Sequence, residues 1–167
     1  MGKGKSPLRP GEWYNAPMTT IPTDWTAEWQ GLAKLTYAFL LALPVGLTRE
    51  KEAHSIGVRT FPLVAMGSCG YVLLGSAPFS LDAQSRIIQG LVAGIGFVGG
   101  GAILKSQGDV HGTATAASIW TFGAVGASVA QNRYLIAFFL AALNLLALHV
   151  LLPWKRKIDA KGEAQDK

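Results

Sequence analysis

The sequence predicts an all-α membrane protein with about five transmembrane helices. Half of the 167 residues are hydrophobic and only 15% are charged, whereas soluble domains carry about 25% charged residues. The charged residues are concentrated near the chain ends and in short stretches between apolar segments. Each apolar segment is close to the roughly 20 residues that a helix needs to cross a bilayer. The segments lack the alternation of barrel strands, so helices are the predicted structure.

Five helices are expected at about 30–48, 60–77, 87–105, 113–131 and 134–152. Pro62 falls in the first turn of the second segment, where a missing N–H costs little, and Pro153 is expected to end the fifth. The predicted organisation is a flexible or interfacial arm at 1–28, a transmembrane domain at 29–153 and a basic cytoplasmic tail at 154–167.

The basic residues of the connections predict an outer N-terminus and a cytoplasmic C-terminus. The basic residues expected on the cytoplasmic side are Arg49, Lys51, Arg59, Lys105, Lys155, Arg156 and Lys157. The outer connections carry only Arg86 and Arg133, although Lys34 at the outer end of the first helix does not fit this pattern. The net charge of +5 forms no stripe along a helix, so the expected partner is the lipid bilayer and not nucleic acid.

The stretch GIGFVGGGAIL at 94–104 resembles a dinucleotide-binding loop, because Gly94, Gly96 and Gly99 have G-x-G-x-x-G spacing. Such a loop follows a strand and is followed about 20 residues later by an acidic residue that binds the ribose. Here an apolar run precedes the glycines, and the next acid, Asp109, comes too early. We therefore expect no cofactor.

Small residues are instead expected to let the third and fourth helices pack closely, because helices in lipid associate through close backbone approach. The third segment contains two G-x-x-x-G pairs, Gly90–Gly94 and Gly96–Gly100. The small residues of the fourth segment that fall near one face are Ala116, Gly123, Ala127 and Ala130. Ser118 and Thr121 could donate hydrogen bonds across this contact, and Gly94→Leu is expected to disrupt it.

A second interpretation of the same glycines is a break or hinge in the third helix, as in the broken helices of transporters. The residues that would loosen it are Gly94, Gly96, Gly99, Gly100 and Gly101.

Three polar clusters at predicted helix ends are candidates for function: Arg49 with Glu50, Arg59 with Thr60, and Asp82 with Arg86. Asp82 and Arg86 are four residues apart, so they would share a helix face and could pair. These residues could serve only orientation and surface ion pairing, or they could mark a place where ions enter.

The sequence shows no metal-ligand spacing and no catalytic constellation. The residues considered as metal ligands are His54, Asp82, Asp109, His111 and His149. A magnesium site needs one or two carboxylates with retained waters, and the predicted topology places Asp82 and Asp109 on opposite sides of the membrane. An enzyme is therefore not expected.

Four motifs, in order and with matching gaps, resemble the MgtC/SapB family of bacterial inner-membrane proteins. They are GLTRE at 46–50, GVRTFPLVAMGS at 57–68, GIGFVGGGAIL at 94–104 and DVHGTATAASIWTFGAVG at 109–126. The resemblance covers about residues 40–135. The positions that match the family pattern are Gly46, Arg49, Glu50, Gly57, Arg59, Thr60, Asp82, Arg86, Gly94, Gly96, Phe97, Gly101, Gly112, Thr115, Ala116, Ala117 and Trp120.

The resemblance implies a role in adaptation to magnesium limitation, acid stress or virulence, exerted on other membrane proteins such as the F-type ATP synthase. Three departures from the family pattern are visible. Asp82 and Arg86 are four residues apart where three is usual, and Ala114 stands where threonine is usual. The chain also ends at Lys167 without the soluble C-terminal domain of MgtC, so it is expected to be a short, SapB-like member.

Two functions remain open at this point. The first is a non-enzymatic regulator that contacts other membrane proteins, which the small-residue faces favour. The alternative is a transporter or channel for Mg²⁺ or another cation. A pathway through so few helices would require a homo-oligomer.

Overall fold

The computed structural model describes residues 25–52, 57–76, 80–106 and 109–165. Within these ranges the chain forms five helices and one antiparallel hairpin. The helices are α1 (Trp25–Glu52), α2 (Thr60–Leu74), α3 (Leu81–Gly101), α4 (Thr113–Ala130) and α5 (Tyr134–Gln165), and the strands are β1 (Leu104–Ser106) and β2 (Asp109–His111). The prediction of five helices is confirmed.

The first and last helices are longer than predicted. α1 begins at Trp25, inside the stretch assigned to the N-terminal arm, and continues past Pro44 to Glu52. α5 continues through Pro153 to Gln165, so the prediction that Pro153 ends the helix is wrong. A proline removes one helical N–H and clashes with the preceding turn, but it does not prevent a helix from resuming on its far side.

The predicted bounds of α3 are also wrong at both ends. The helix begins six residues early because Ser80 caps it, with the Ser80 hydroxyl oxygen accepting a hydrogen bond from the backbone N–H of Ala83 at 3.3 Å. It ends at Gly101, and the chain then forms the β1–β2 hairpin, with Leu104 opposite His111. The sequence analysis missed this hairpin, since it assigned Leu104 and Lys105 to the third helix and the residues of β2 to a polar connection.

The helix α4 lies at the centre of the bundle and contacts each of the other four helices. Its Phe122 ring packs against the Phe61 ring of α2 with the ring centroids 5.6 Å apart, and both side chains are fully buried. The α2 and α4 backbones approach so closely that a Cβ on Gly126 would overlap the carbonyl oxygen of Ala65. The core therefore depends on small residues as well as on aromatic rings.

One helix of the described chain, Trp25–Thr48, is long and apolar enough to cross a membrane by length and composition, with a mean hydropathy of 1.5 over its best window. Two further segments, Thr60–Leu74 and Tyr134–Val150, are apolar but shorter. That all five helices cross a bilayer, and in which direction, stays a prediction.

Candidate functional site

The connections gather at two opposite ends of the bundle. The Arg59 end contains the end of α1, the start of α2 and the β1–β2 hairpin. The Lys34 end contains the first half of α1, the end of α2, the start of α3 and the turn between α4 and α5. The candidate residues divide between these two ends, so the structure does not bring them into one site.

The backbone of α1 that precedes the first predicted cluster passes beside the second cluster at the Arg59 end. A Cβ on Gly46 would lie 3.0 Å from the Cα of Val58, so the end of α1 passes directly beside the residues that precede α2. Arg59 is exposed, and its carbonyl accepts the hydrogen bond from the Leu63 N–H at 3.2 Å. Thr60 is half-buried at the first position of α2. The side chains of Arg49 and Glu50, on the last turns of α1, lie outside the described residues.

The third cluster, Asp82 with Arg86, lies near the Lys34 end in the first turns of α3. Arg86 Nε donates to Asp82 Oδ2 at 3.2 Å, and Arg86 Nη2 lies 3.1 Å from the same oxygen. The predicted pairing is confirmed. Both side chains are about three-quarters exposed, so solvent screening leaves this ion pair only a small contribution to stability.

Lys34 fills a structural role that the sequence did not reveal. Its Nζ donates a hydrogen bond to the carbonyl oxygen of Ala130 at 3.2 Å. Ala130 is the last residue of α4, where unpaired carbonyls carry partial negative charge. The signal for this contact was a cation near a predicted helix end with no matching acid, since helix carbonyls can replace the acid.

A polar pocket of about 370 Å³ adjoins this lysine at the Lys34 end. Residues that line it include Lys34, Ser76, Gln84, Ile87 and Asn132. The Gln84 side-chain amide donates to the Ser76 carbonyl at 3.1 Å, which joins the start of α3 to the end of α2.

The close contact between α3 and α4 is real, but only part of the predicted glycine set makes it. A Cβ on Gly99 would lie 3.2 Å from the Ala116 carbonyl oxygen, and one on Gly123 would overlap the Ile95 side chain. Ala127 is partly buried and packs against the core. Gly99 and Gly123 therefore set the distance between these helices.

Within the described residues, a Cβ at any glycine of the two G-x-x-x-G pairs of α3 would touch no other helix, which corrects the predicted packing. Beyond the local helix backbone, no described atom lies within 4 Å of a Cβ built at any of these open glycines, which are Gly90, Gly94, Gly96, Gly100 and Gly101. A Cβ at position 94 therefore meets no described neighbour, and the expected disruption of packing by the longer side chain of Gly94→Leu stays a prediction. α3 is one continuous helix to Gly101, and the hinge stays a prediction.

Gly90 and Gly94 instead line an apolar groove of about 550 Å³ between α2 and α3. The facing wall on α2 includes Leu63, Gly67 and Tyr71. The groove exists because α3 packs mainly on α4, while three glycines at the groove leave the space beside α2 unfilled.

The predicted polar contacts between α3 and α4 are not formed as expected. The Ser118 hydroxyl donates to Asn144 Oδ1 of α5 at 3.0 Å, and the Thr121 hydroxyl donates to the Ala117 carbonyl of its own helix at 2.9 Å. Ser118 is buried, so its hydrogen bond joins α4 to α5 inside the bundle.

The part of the chain that the structure describes contains no group of three or more His, Cys, Asp or Glu residues that could hold a metal ion. The His54 candidate lies outside the described residues, as does the side chain of Asp109, whereas His111 and His149 are exposed.

Comparison with known proteins places the chain in a family. The model of the MgtC family matches residues 35–157. The chain is 35% identical to SrpB of Synechococcus elongatus over 136 residues, which cover 72% of this chain and 75% of SrpB. No solved structure gave a significant match.

Two further relatives are longer than the part that matches. YhiD of Escherichia coli, which carries the provisional name of a magnesium transporter, is 32% identical over 133 residues, or 75% of this chain and 61% of YhiD. MgtC of Brucella abortus is 34% identical over 126 residues, or 71% of this chain and 53% of MgtC. The match therefore spans less than two thirds of either protein. With the family match and the apolar α1, the chain is a bacterial membrane protein and belongs to the MgtC family.

Proposed function

We propose that this protein is a multi-pass protein of the bacterial inner membrane that serves magnesium homeostasis by associating with other membrane proteins. Its work is regulatory and not catalytic. The link to magnesium rests on membership of the MgtC family and on the provisional name of YhiD.

The observation that carries the regulatory mechanism is the outer face of α3. Gly96 and Gly100 are four residues apart on this face, both are exposed, and a Cβ at either position would meet no described neighbour. The Phe97 side chain between them is 86% exposed. An unfilled G-x-x-x-G pair beside an exposed aromatic ring allows a helix of another protein to approach the backbone closely.

The partner that the family resemblance suggests is the F-type ATP synthase, and a second copy of the chain is the other candidate. Either would bury Phe97 and bring a helix against Gly96 and Gly100. A leucine at position 96 would hold that helix away without disturbing the fold of the free protein.

A second candidate function is cation transport, which the provisional name of YhiD favours. In this case Asp82 or Glu50 must meet water within a pathway between helices. The exposure of Asp82 near a bundle end is compatible with ion entry.

Two assays on the same variants separate these functions. Growth under limiting Mg²⁺ is measured in a bacterium whose own family member is deleted and which expresses this protein or its Gly96→Leu variant. Mg²⁺ uptake is measured in liposomes that contain the purified protein and a trapped magnesium-sensitive dye, with empty vesicles and Asp82→Ala as controls.

The regulator predicts rescued growth that Gly96→Leu abolishes, together with no protein-dependent uptake. Co-purification of the F-type ATP synthase with the wild-type protein but not with Gly96→Leu would identify the partner. Uptake that Asp82→Ala removes would replace the regulator with a transporter, and rescue by Gly96→Leu equal to wild type would refute the α3 contact.

A further inference from the structure

The polar pocket at the Lys34 end and the apolar groove between α2 and α3 share a wall. The Ile87 side chain lines both spaces. The residues that line the pocket include Lys34, Gln84 and Asn132 beside several aliphatic residues, whereas the groove is lined mostly by aliphatic side chains and glycines. The two adjoining spaces are thus more polar at the end of the bundle than along the helices.

The length of the groove matches one leaflet of a bilayer. Along α3 it extends from Ile87 to Val98, which is roughly 16 Å at about 1.5 Å per residue. Half of a hydrocarbon core about 30 Å thick is about 15 Å. An acyl chain of one leaflet would therefore fit along the groove with its head at the Lys34 end.

Lys34 supplies the charge that a head group with a phosphate needs. The α4 carbonyl at 3.2 Å uses one of its N–H donors, and an ammonium has three. Exposed aromatic residues indicate that this end of α1 lies at the bilayer surface, because Trp25 and Trp29 precede Lys34 on α1 and are 71% and 69% exposed.

We propose that the structure contains a binding site for one phospholipid, with the phosphate in the polar pocket beside Lys34 and an acyl chain in the α2–α3 groove. This site is separate from the outer face of α3. Gly94 lines the groove and Gly96 does not, and at 3.6 residues per turn the two positions point to nearly opposite sides of the helix.

The site is tested by titrating the purified protein in detergent with phosphatidylglycerol and counting bound lipids by native mass spectrometry. Gly94→Leu fills the groove and should weaken binding about tenfold. Lys34→Met removes the ammonium and should weaken it about fivefold, whereas Lys34→Arg keeps the charge and should restore most of the binding.

Gly96→Leu is the matched control for Gly94→Leu, since both place a leucine at an open glycine of the same helix and only one lies in the groove. Arg86→Gln is the charge control, because it removes a cation near the same end that does not line the pocket. Both controls should bind phosphatidylglycerol as the wild type does. Gly96→Leu also keeps this proposal apart from the regulatory one, which predicts lost growth for that variant and unchanged lipid binding.

Two fragment ligands test whether the site binds the whole phospholipid, the phosphate alone or the acyl chains alone. Inorganic phosphate provides the head alone and diacylglycerol provides the tails alone, and neither should displace phosphatidylglycerol at equal concentration. Displacement by phosphate would assign the pocket to a free anion, and displacement by diacylglycerol would remove the role of Lys34. Equal lipid binding by wild type, Gly94→Leu and Lys34→Met would overturn the site, as would a dimer that Gly94→Leu dissociates without any change in bound lipid.

Discussion

The helices α3 and α4 share a composition rich in small residues, yet they have opposite places in the bundle. α4 contacts every other helix and buries nine residues, whereas α3 buries only Ile95 and Gly99. In α4 the small residues bring backbones together, as Gly126 does against α2. In α3 most of the small residues leave unfilled space beside the helix. A glycine in an apolar helix therefore indicates close packing only once its neighbours are known.

The largest expected difference between the two helices concerns their phenylalanines. Phe122→Ala in α4 removes a fully buried ring and should lower the free energy of unfolding by about 3–5 kcal/mol. Phe97→Ala in α3 should change the free energy of unfolding by less than about 0.5 kcal/mol, because the ring contributes little to the core of the free protein. Thermal unfolding in detergent measures both, and equal losses would contradict the assignment of α3 as peripheral.

A smaller effect is expected from adding one methyl group at a glycine. Gly126→Ala must push α2 and α4 apart and should cost about 1–3 kcal/mol, since its Cβ would overlap the Ala65 carbonyl oxygen. Gly94→Ala should leave stability unchanged or raise it slightly, because alanine favours helix over glycine. Folded yield and melting temperature on the same preparation check the pair, and a stable Gly126→Ala protein would disprove the α2–α4 contact.

The next smaller difference in stability is expected between the losses of two hydroxyl groups of α4, those of Ser118 and Thr121. Ser118→Ala removes the hydrogen bond to Asn144 and leaves that amide without its partner, which should cost about 1 kcal/mol. Thr121→Ala removes only a bond to the Ala117 carbonyl of the same helix and should change stability less. The two melting temperatures decide whether the contact between α4 and α5 depends on this polar pair.

The smallest effect is expected at the surface of α3. Arg86→Gln breaks the exposed ion pair with Asp82 and should cost about 0.3–0.5 kcal/mol at low salt. The difference from wild type should shrink when salt is added, because exposed charges are screened. A salt-independent loss of more than about 1 kcal/mol would mean that this pair is buried in the folded protein.

Local spacing was enough to predict the features that depend on one helix. Asp82 and Arg86 pair because four residues bring them to the same face, and the number of helices follows from the apolar segments. Pro153 shows the limit of such rules, since a residue that often ends helices lies inside α5.

Features that depend on contacts between helices were harder to predict. Gly94 and Gly99 look alike in the sequence, and only the packing of α3 on α4 shows that Gly99 touches a neighbour while Gly94 faces a groove. Lys34 could not be assigned from its own segment because its partner is a carbonyl of α4, far along the chain. The β1–β2 hairpin was not predicted because each strand has only three residues, and so short a strand shows no clear sequence pattern.

The hairpin has a consequence for how α3 can move. Gly112 has a φ of 86°, and a Cβ there would overlap the Ala102 carbonyl oxygen, so the chain closes tightly between the end of α3 and the start of α4. The opposite end of α3 is joined to α2 by the exposed hydrogen bond of Gln84 to Ser76. A helix with a tight backbone turn at one end and an exposed hydrogen bond among its contacts at the other can rotate about the tight end, with the hairpin as its pivot. A small rotation about that pivot would widen or narrow the groove most at the end near Lys34.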